Sequence, residues 1–181
     1  TVINPYDYGY PIEIKVTDFN HATVAKHYSM GRIALELGYV MPNHKTVYLS
    51  DDGSNVGLFR FVAKDAGDLT NGTLWAAQWN QMSASGAGTA KLHWINLGQA
   101  HDAQVKAWIA TYRFADIFDE VAPVFNANGD DTGTCPTGYV SINAGHNDGS
   151  HQCLKLRDVN QDGVIGDDDK RIASRLETRR W

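Results

Sequence analysis

A mainly β fold with a helical insertion, its strands grouped as in antiparallel blades, is what this sequence predicts. Three observations carry the expectation. Short runs that alternate apolar and polar residues recur between turn residues over positions 1–100. The period then switches to the helical one over positions 101–122. Positions 123–181 turn rich in Gly, Asn and Asp and close on an acidic loop and a helix.

Each element follows in order. Asn4 to Tyr10 (NPYDYGY) is a turn-rich lead-in, and Pro11 to Thr17 (PIEIKVT) alternates as a strand does. Residues 22–30 read as a short helix. Leu35 to Met41 is a short apolar run, stopped by the turn residues Pro42 to Lys45. Thr46 to Ser50 (TVYLS) is β-branched and aromatic, hence a strand, broken by Asp51-Asp52-Gly53. Leu58 to Ala63, Leu74 to Trp79 and Lys91 to Leu97 continue the series. Asn71-Gly72-Thr73 reads first as a turn and also fits a glycosylation acceptor. His101 to Ile109 and Phe114 to Val121 read as helices, residues 123–152 as loop, and Asp167 to Arg179 as a last helix. Strands clustered by threes and fours suit a β-propeller or a sandwich.

Composition excludes several classes. Sixteen Lys+Arg against 21 Asp+Glu give a net charge of -5, so the chain has no basic field for nucleic acid or anionic membrane. No stretch approaches the ~18 apolar residues of a spanning helix. The chain starts at Thr1 and runs out in a charged segment, which suggests a processed chain or a fragment.

Cys135 and Cys153 flank a loop-rich stretch. A disulfide there would stabilise by roughly 3 kcal/mol and place the chain outside the cytoplasm; two free buried thiols are the alternative. His146 and His151 lie between them but lack the tight Cys/His pairing of a zinc site.

The run Asp158 to Asp169 (DVNQDGVIGDDD) has the pattern of an EF-hand loop. Asp158, Asn160 and Asp162 supply oxygens at positions 1, 3 and 5, Gly163 allows the turn at 6, Val164 offers its carbonyl at 7, and Asp169 stands at 12. Asp169 in place of Glu resembles dockerin-type calcium loops. The expected ion is Ca²⁺, in a structural role. Asp51-Asp52, at a strand end, could hold a metal or be a solvated turn. Glu36 sits inside an apolar run, where a carboxylate is costly unless paired or metal-bound. Five Trp and eight Tyr serve the core and strand faces, or offer a carbohydrate platform.

Several runs together resemble the PhoX-type alkaline phosphatase family: Gly31 to Glu36 (GRIALE), Thr46 to Gly53 (TVYLSDDG), Gly57 to Val62 (GLFRFV), Leu92 to Gly98 (LHWINLG) and Leu176 to Arg180 (LETRR). The resemblance covers most of residues 6–121 and returns at 171–181. It implies part of a β-propeller, a secreted or periplasmic protein, and hydrolysis of phosphate monoesters with calcium and iron (Fe³⁺). Carried over by motif, Glu36, Asp51 and Asp52 would be metal ligands, with Glu177 as a further candidate. Leu35 stands where the family often has His. The family's cysteine ligand of iron and its Arg-Pro-Glu-type motif are not in this sequence, and the loop at 158–169 looks like an insertion.

The expected organisation is blade region 1–100, helical insertion 101–122, and a loop-rich segment 123–181 with the calcium loop and final helix. An open piece of propeller exposes strand edges and half its core. A companion chain, the rest of a common precursor, or an oligomer is therefore expected to complete it. The functional expectation is part of a calcium-dependent phosphatase. The alternative is a calcium-stabilised structural or assembly subunit without catalysis.

Overall fold

The computed structural model describes residues 3–144 and 148–181; His146 lies outside them. The sequence folds as a mainly β protein, and all its sheets are antiparallel. A meander of β3 (Leu35–Val40), β4 (Thr46–Asp51), β5 (Leu58–Asp65), β6 (Asp68–Ser83) and β7 (Thr89–His101) forms a five-stranded sheet in chain order. That order is compatible with a propeller blade, and among the described residues the sheet does not close on itself.

Alternation decides the inner face. Val47 and Leu49 of β4, Phe59 and Phe61 of β5, Leu74 of β6 and Leu97 of β7 all point inward, each worth roughly 2 kcal/mol of transfer from water. Met30, Ile33 and Leu69 complete this core. Met30 comes from a 3₁₀ turn, Tyr28–Met30.

A second core lies under the helices. Helix α1 (Asp102–Thr111), the single turn α2 (Phe114–Ile117) and α3 (Asp167–Leu176) gather Val105, Ile109, Ile117, Ile172 and Leu176. A three-stranded sheet of order β11 (Val140–Ile142), β12 (Gln152–Leu156), β8 (Phe118–Val121) adds Phe118 and Leu154. Helix α3 packs on β7 as well as α1, so it joins the two cores.

The structure departs from expectation at four places. Residues 22–30 are not a helix. His21–Lys26 is strand β2, paired with β1 (Ile12–Asp18) in a ribbon whose turn is tied by Asn20 N–H donating to Asp18 (2.9 Å). The β-branched Thr23 and Val24 gain more from cross-strand pairing than from one short isolated helix. Phe118–Val121 leaves the helical period to pair with β12. The stretch 123–152 holds short strands, β9 (Val124–Phe125) and β10 (Asp131–Thr134) as well as β11. Finally, Asn71-Gly72-Thr73 is mid-strand, opposite His101, Ala100 and Gln99. A Cβ at Gly72 would lie 2.4 Å from the Phe61 ring, so glycine serves close packing there, not a turn.

The two cysteines are joined, Cys135 to Cys153, tying the loop after β10 to the buried end of β12. Among the described residues no helix is long and apolar enough to cross a membrane.

Candidate functional site

The site region is built where the start of β3 meets the end of β4. Leu35 pairs with Asp51 and Leu37 with Ser50, so Glu36 is the extra residue of a β-bulge. A bulge frees one residue from the ladder and re-aims its side chain. Asp52 follows β4 and donates its N–H to the Ala34 carbonyl (2.8 Å). Glu36 and Asp52 line one open cleft of about 670 Å³, with Gly9, Tyr10, Ile33 and Leu35. Among the described residues, neither carboxylate has a hydrogen-bonded or ion-paired partner.

Asp51 points the other way. Its side chain is fully buried. One oxygen accepts from the Ala34 N–H (2.7 Å), and the other meets Arg179 Nε at 2.8 Å. Burial pushes the Asp51 carboxyl up, against the pull of the Ala34 N–H and the Arg179 guanidinium. Arg179 also donates to the Asp52 carbonyl (3.0 Å), so one cation braces both aspartates.

Glu177 is equally internal. It accepts from the Tyr6 hydroxyl (2.6 Å) and from Arg180 (2.9 Å). Burial and the Glu177 charge raise the Tyr6 hydroxyl well above its usual range. Thr178 takes the Arg32 N–H (2.8 Å) and donates to the Ser174 carbonyl (2.7 Å). Gly31 makes this contact possible, since its φ is 85° and a Cβ there would sit 2.7 Å from the Thr178 hydroxyl. The run Glu177 to Arg179 is thus a strut under the segments 31–36 and 51–53. Of the four carboxylates expected in one cluster, the fold brings two to the cleft and spends two on the strut.

Beneath it lies Arg175, fully buried. Its guanidinium donates to the carbonyls of Leu97 (3.2 Å) and Gly98 (2.7 Å) and to the Ser174 hydroxyl (2.9 Å). Burial, then repulsion from Arg171, pulls its pKa down to about 9. Arg175 carries no motif of its own in sequence, its signal being a cation in the last turn of α3, whereas Arg179 falls within the family-resembling run Leu176 to Arg180.

In the loop expected to bind calcium, the acidic side chains accept hydrogen bonds from the loop's own backbone. Asp158 accepts from the N–H groups of Asp162 (3.1 Å) and Gly163 (2.7 Å), and Asp162 accepts from Val164 (2.9 Å). Gly163, at φ 91°, makes the turn. Asp169 is fully buried and spends its oxygens on the N–H groups of Val159, Asn160 and Gly166 (2.7–3.1 Å). It therefore caps α3 and closes the loop on itself. Among the described residues no group of three or more His, Cys, Asp or Glu side chains is placed to hold a metal ion.

Glu36 and Asp52 are unpaired hard oxygen donors, which suits Ca²⁺. Iron held by thiolate does not fit this chain's own residues, because Cys135 and Cys153 are bonded to each other. A larger cleft, about 780 Å³, lies between β7 and α3. Its acids Asp167 and Asp168 are already paired with Lys170 and Arg171, so it offers no free ligand.

The family model described as alkaline phosphatase PhoX matches residues 1–158. No curated protein matches the chain, and no solved structure matches it.

Proposed function

This chain belongs to the PhoX alkaline phosphatase family, and from that premise we propose that it forms the metal-facing part of a phosphate-monoester hydrolase. One observation carries the reading. The bulge at Glu36 turns a carboxylate into the same cleft as Asp52, and both are free of internal partners.

Glu36 and Asp52 are the ligands this chain offers, and Ca²⁺ is the ion they suit. Metal ions in such a cleft supply neutralisation of the phosphoryl oxygens. The protein's own part is placement. Arg179 and Asp51 fix the backbone on which Asp52 stands. The Ala34 peptide, held from both sides by the Asp51 side chain and the Asp52 N–H, fixes the approach to Glu36. A companion segment or chain supplies the remaining ligands, including any thiolate for iron (Fe³⁺). The Cys135–Cys153 bridge supports export to an oxidising compartment, as do the family's typically secreted or periplasmic enzymes.

The loop at Asp158, Asn160, Asp162, Val164 and Asp169 is proposed as a separate, structural Ca²⁺ site, filled when Asp169 exchanges a backbone partner for the ion. A second reading draws on the strut. With Asp51 and Glu177 consumed internally, the chain could be a calcium-stabilised, non-catalytic assembly subunit of the same fold.

Elemental analysis of the native protein, beside hydrolysis of a phosphate monoester, separates the two. Glu36→Gln and Asp52→Asn are expected to weaken metal retention roughly 10–100-fold and to abolish hydrolysis. Calcium at about one per chain, with no iron and no hydrolysis in the unmodified protein, would sink the catalytic reading and leave the structural one.

A further inference from the structure

A line of polar contacts joins the disulfide-bridged segment to the loop that carries Asp52. Two links first tie the β10 segment to the start of β12. One is the Cys135–Cys153 bridge. The other is Asp131, one oxygen of which takes the His151 N–H at 2.6 Å and stands 3.2 Å from the ring Nδ1. The Gly133 N–H donates to its other oxygen (2.7 Å), and this bond, with those from His151, holds the Asp131 carboxyl below the usual carboxylate range. Gly133, at φ 68°, lets the backbone pass against the ring, since a Cβ there would lie 3.2 Å from it. The imidazole is thus fixed along one edge and on one face.

From His151 the line runs outward. Asn143, just after β11, has its side-chain nitrogen 3.2 Å from His151 Nε2. Its oxygen accepts from the Asn55 side chain at 2.9 Å, across 88 positions of sequence. The donors and acceptors agree along the line. Nδ1–H donates to the Asp131 carboxylate, so the neutral imidazole offers Nε2 as an acceptor, and Asn143 donates to it while accepting from Asn55. The hydrogen-bond network assigns that tautomer.

Asn55 is where the line acts. It lies in the loop that the Asp51 N–H closes on the Gly57 carbonyl (3.2 Å). Its φ is 53°, a left-handed conformation that costs an L-residue energy unless its surroundings hold it. Among the described residues, Asn143 is the only side chain that hydrogen-bonds Asn55. Arg179 braces the other end of the loop at the Asp52 carbonyl (3.0 Å). The loop is therefore pinned at its root by the strut and at its tip by the bridged segment.

We propose that His151 and Asn143 are positioning residues for Asp52. They hold Asn55 in its left-handed turn and so keep the Asp52 carboxylate facing Glu36 for a divalent cation. The inference rests on the reading of Glu36 and Asp52 as ligands.

The test uses the full-length gene product, with Ca²⁺ alone as the probe. Asp158→Asn and Asp162→Asn are present throughout, so that calcium reports the cleft and not the loop at 158–169. Two readouts are taken. The amide–Hα NOE of Asn55 in asparagine-labelled protein is strong for a left-handed residue and reports the turn without metal. Calcium titration reports the cleft. Asn143→Ala should weaken the NOE and lower calcium affinity roughly 3–10-fold. His151→Ala should do the same, and the two changes together should cost no more than one, because they cut a single line. Asn55→Gly takes up the left-handed turn unaided and should restore calcium affinity to Asn143→Ala. A general loss of fold would not be repaired by a change at position 55. An NOE indifferent to Asn143, additive losses, or a failed rescue would overturn the inference. A parent protein that binds no calcium, while its NOE still depends on Asn143, would overturn the ligand reading and with it the role in metal binding. The NOE therefore tells failure of the relay from failure of the ligands.

Discussion

Asp51 and Asp52 are neighbours with opposite fates, and strand period is the reason. At the end of β4 the first faces inward to Arg179 and the second faces the cleft with Glu36. Substitution should separate them. Asp51→Ala strands the Ala34 N–H and the Arg179 guanidinium, and a loss of about 1–3 kcal/mol in denaturant unfolding is expected. Asp52→Asn should leave that stability within about 0.5 kcal/mol, since its side chain makes no internal contact. His27 is a second case that sequence does not announce. Its ring is buried between Asp102 (3.1 Å) and Glu13 (3.2 Å), joining β1 to the start of α1. Burial opposes its charge, and the two carboxylates outweigh burial, so its pKa lies above the ordinary histidine value. A raised folded pKa adds stability that is fully present below the unfolded value near ~6.5 and is lost as pH climbs through the folded value. Thermal unfolding followed against pH should show that decline, and His27→Gln should flatten it.

At the scale of elements, the loop around α3 and the bridge below it make distinct predictions. Asp158 and Asp162 already hold the turn at Gly163, whereas Asp169 is committed to capping the helix. Ca²⁺ is therefore expected to raise the melting temperature of the chelated protein by several degrees, about 2–3 kcal/mol at saturation. Asp158→Asn with Asp162→Asn should remove that rise; a rise that survives both changes would place the ion elsewhere. Reducing Cys135–Cys153 should cost roughly 3 kcal/mol by freeing the loop between β10 and β12. That loss is expected to appear in both far-UV and tryptophan signals if the second core unfolds with the sheet.

Over the whole molecule, α3 is the piece that makes one body of two cores. Leu176 belongs to the helical core, while Ser174 and Arg175 reach the carbonyls of β7. Leu176→Ala should cost about 2–5 kcal/mol and lower both cores in a single coincident transition. Two separated transitions would show that the cores are independent.

Much of this was legible in the linear pattern. Alternation marked β4 and β5, because a half-buried antiparallel strand must alternate, and it marked β1 as well, although that strand is exposed along its length. The spacing of Cys135 and Cys153 around a core-poor stretch pointed to the bridge that forms. The motif runs between Gly31 and Gly98 pointed to the family, and the match over residues 1–158 bears that out. Local pattern failed where a distant surface made the choice. Thr23 and Val24 became strand because β1 lay alongside, and Gly72 entered a strand because Phe61 crosses it. The candidate carboxylates divide for the same reason. Glu36, Asp51, Asp52 and Glu177 are all carboxylates, and the family resemblance names the first three as ligands and Glu177 as a further candidate. Which are free depends on where Tyr6, Arg179 and Arg180 arrive, from opposite ends of the chain. Composition and period determined that a β-rich chain would form, and the resemblance of its short motifs pointed to its family. Only long-range packing decided that Glu36 and Asp52 face solvent together, because burial and charge pairing are set by neighbours that sequence separates by more than a hundred residues.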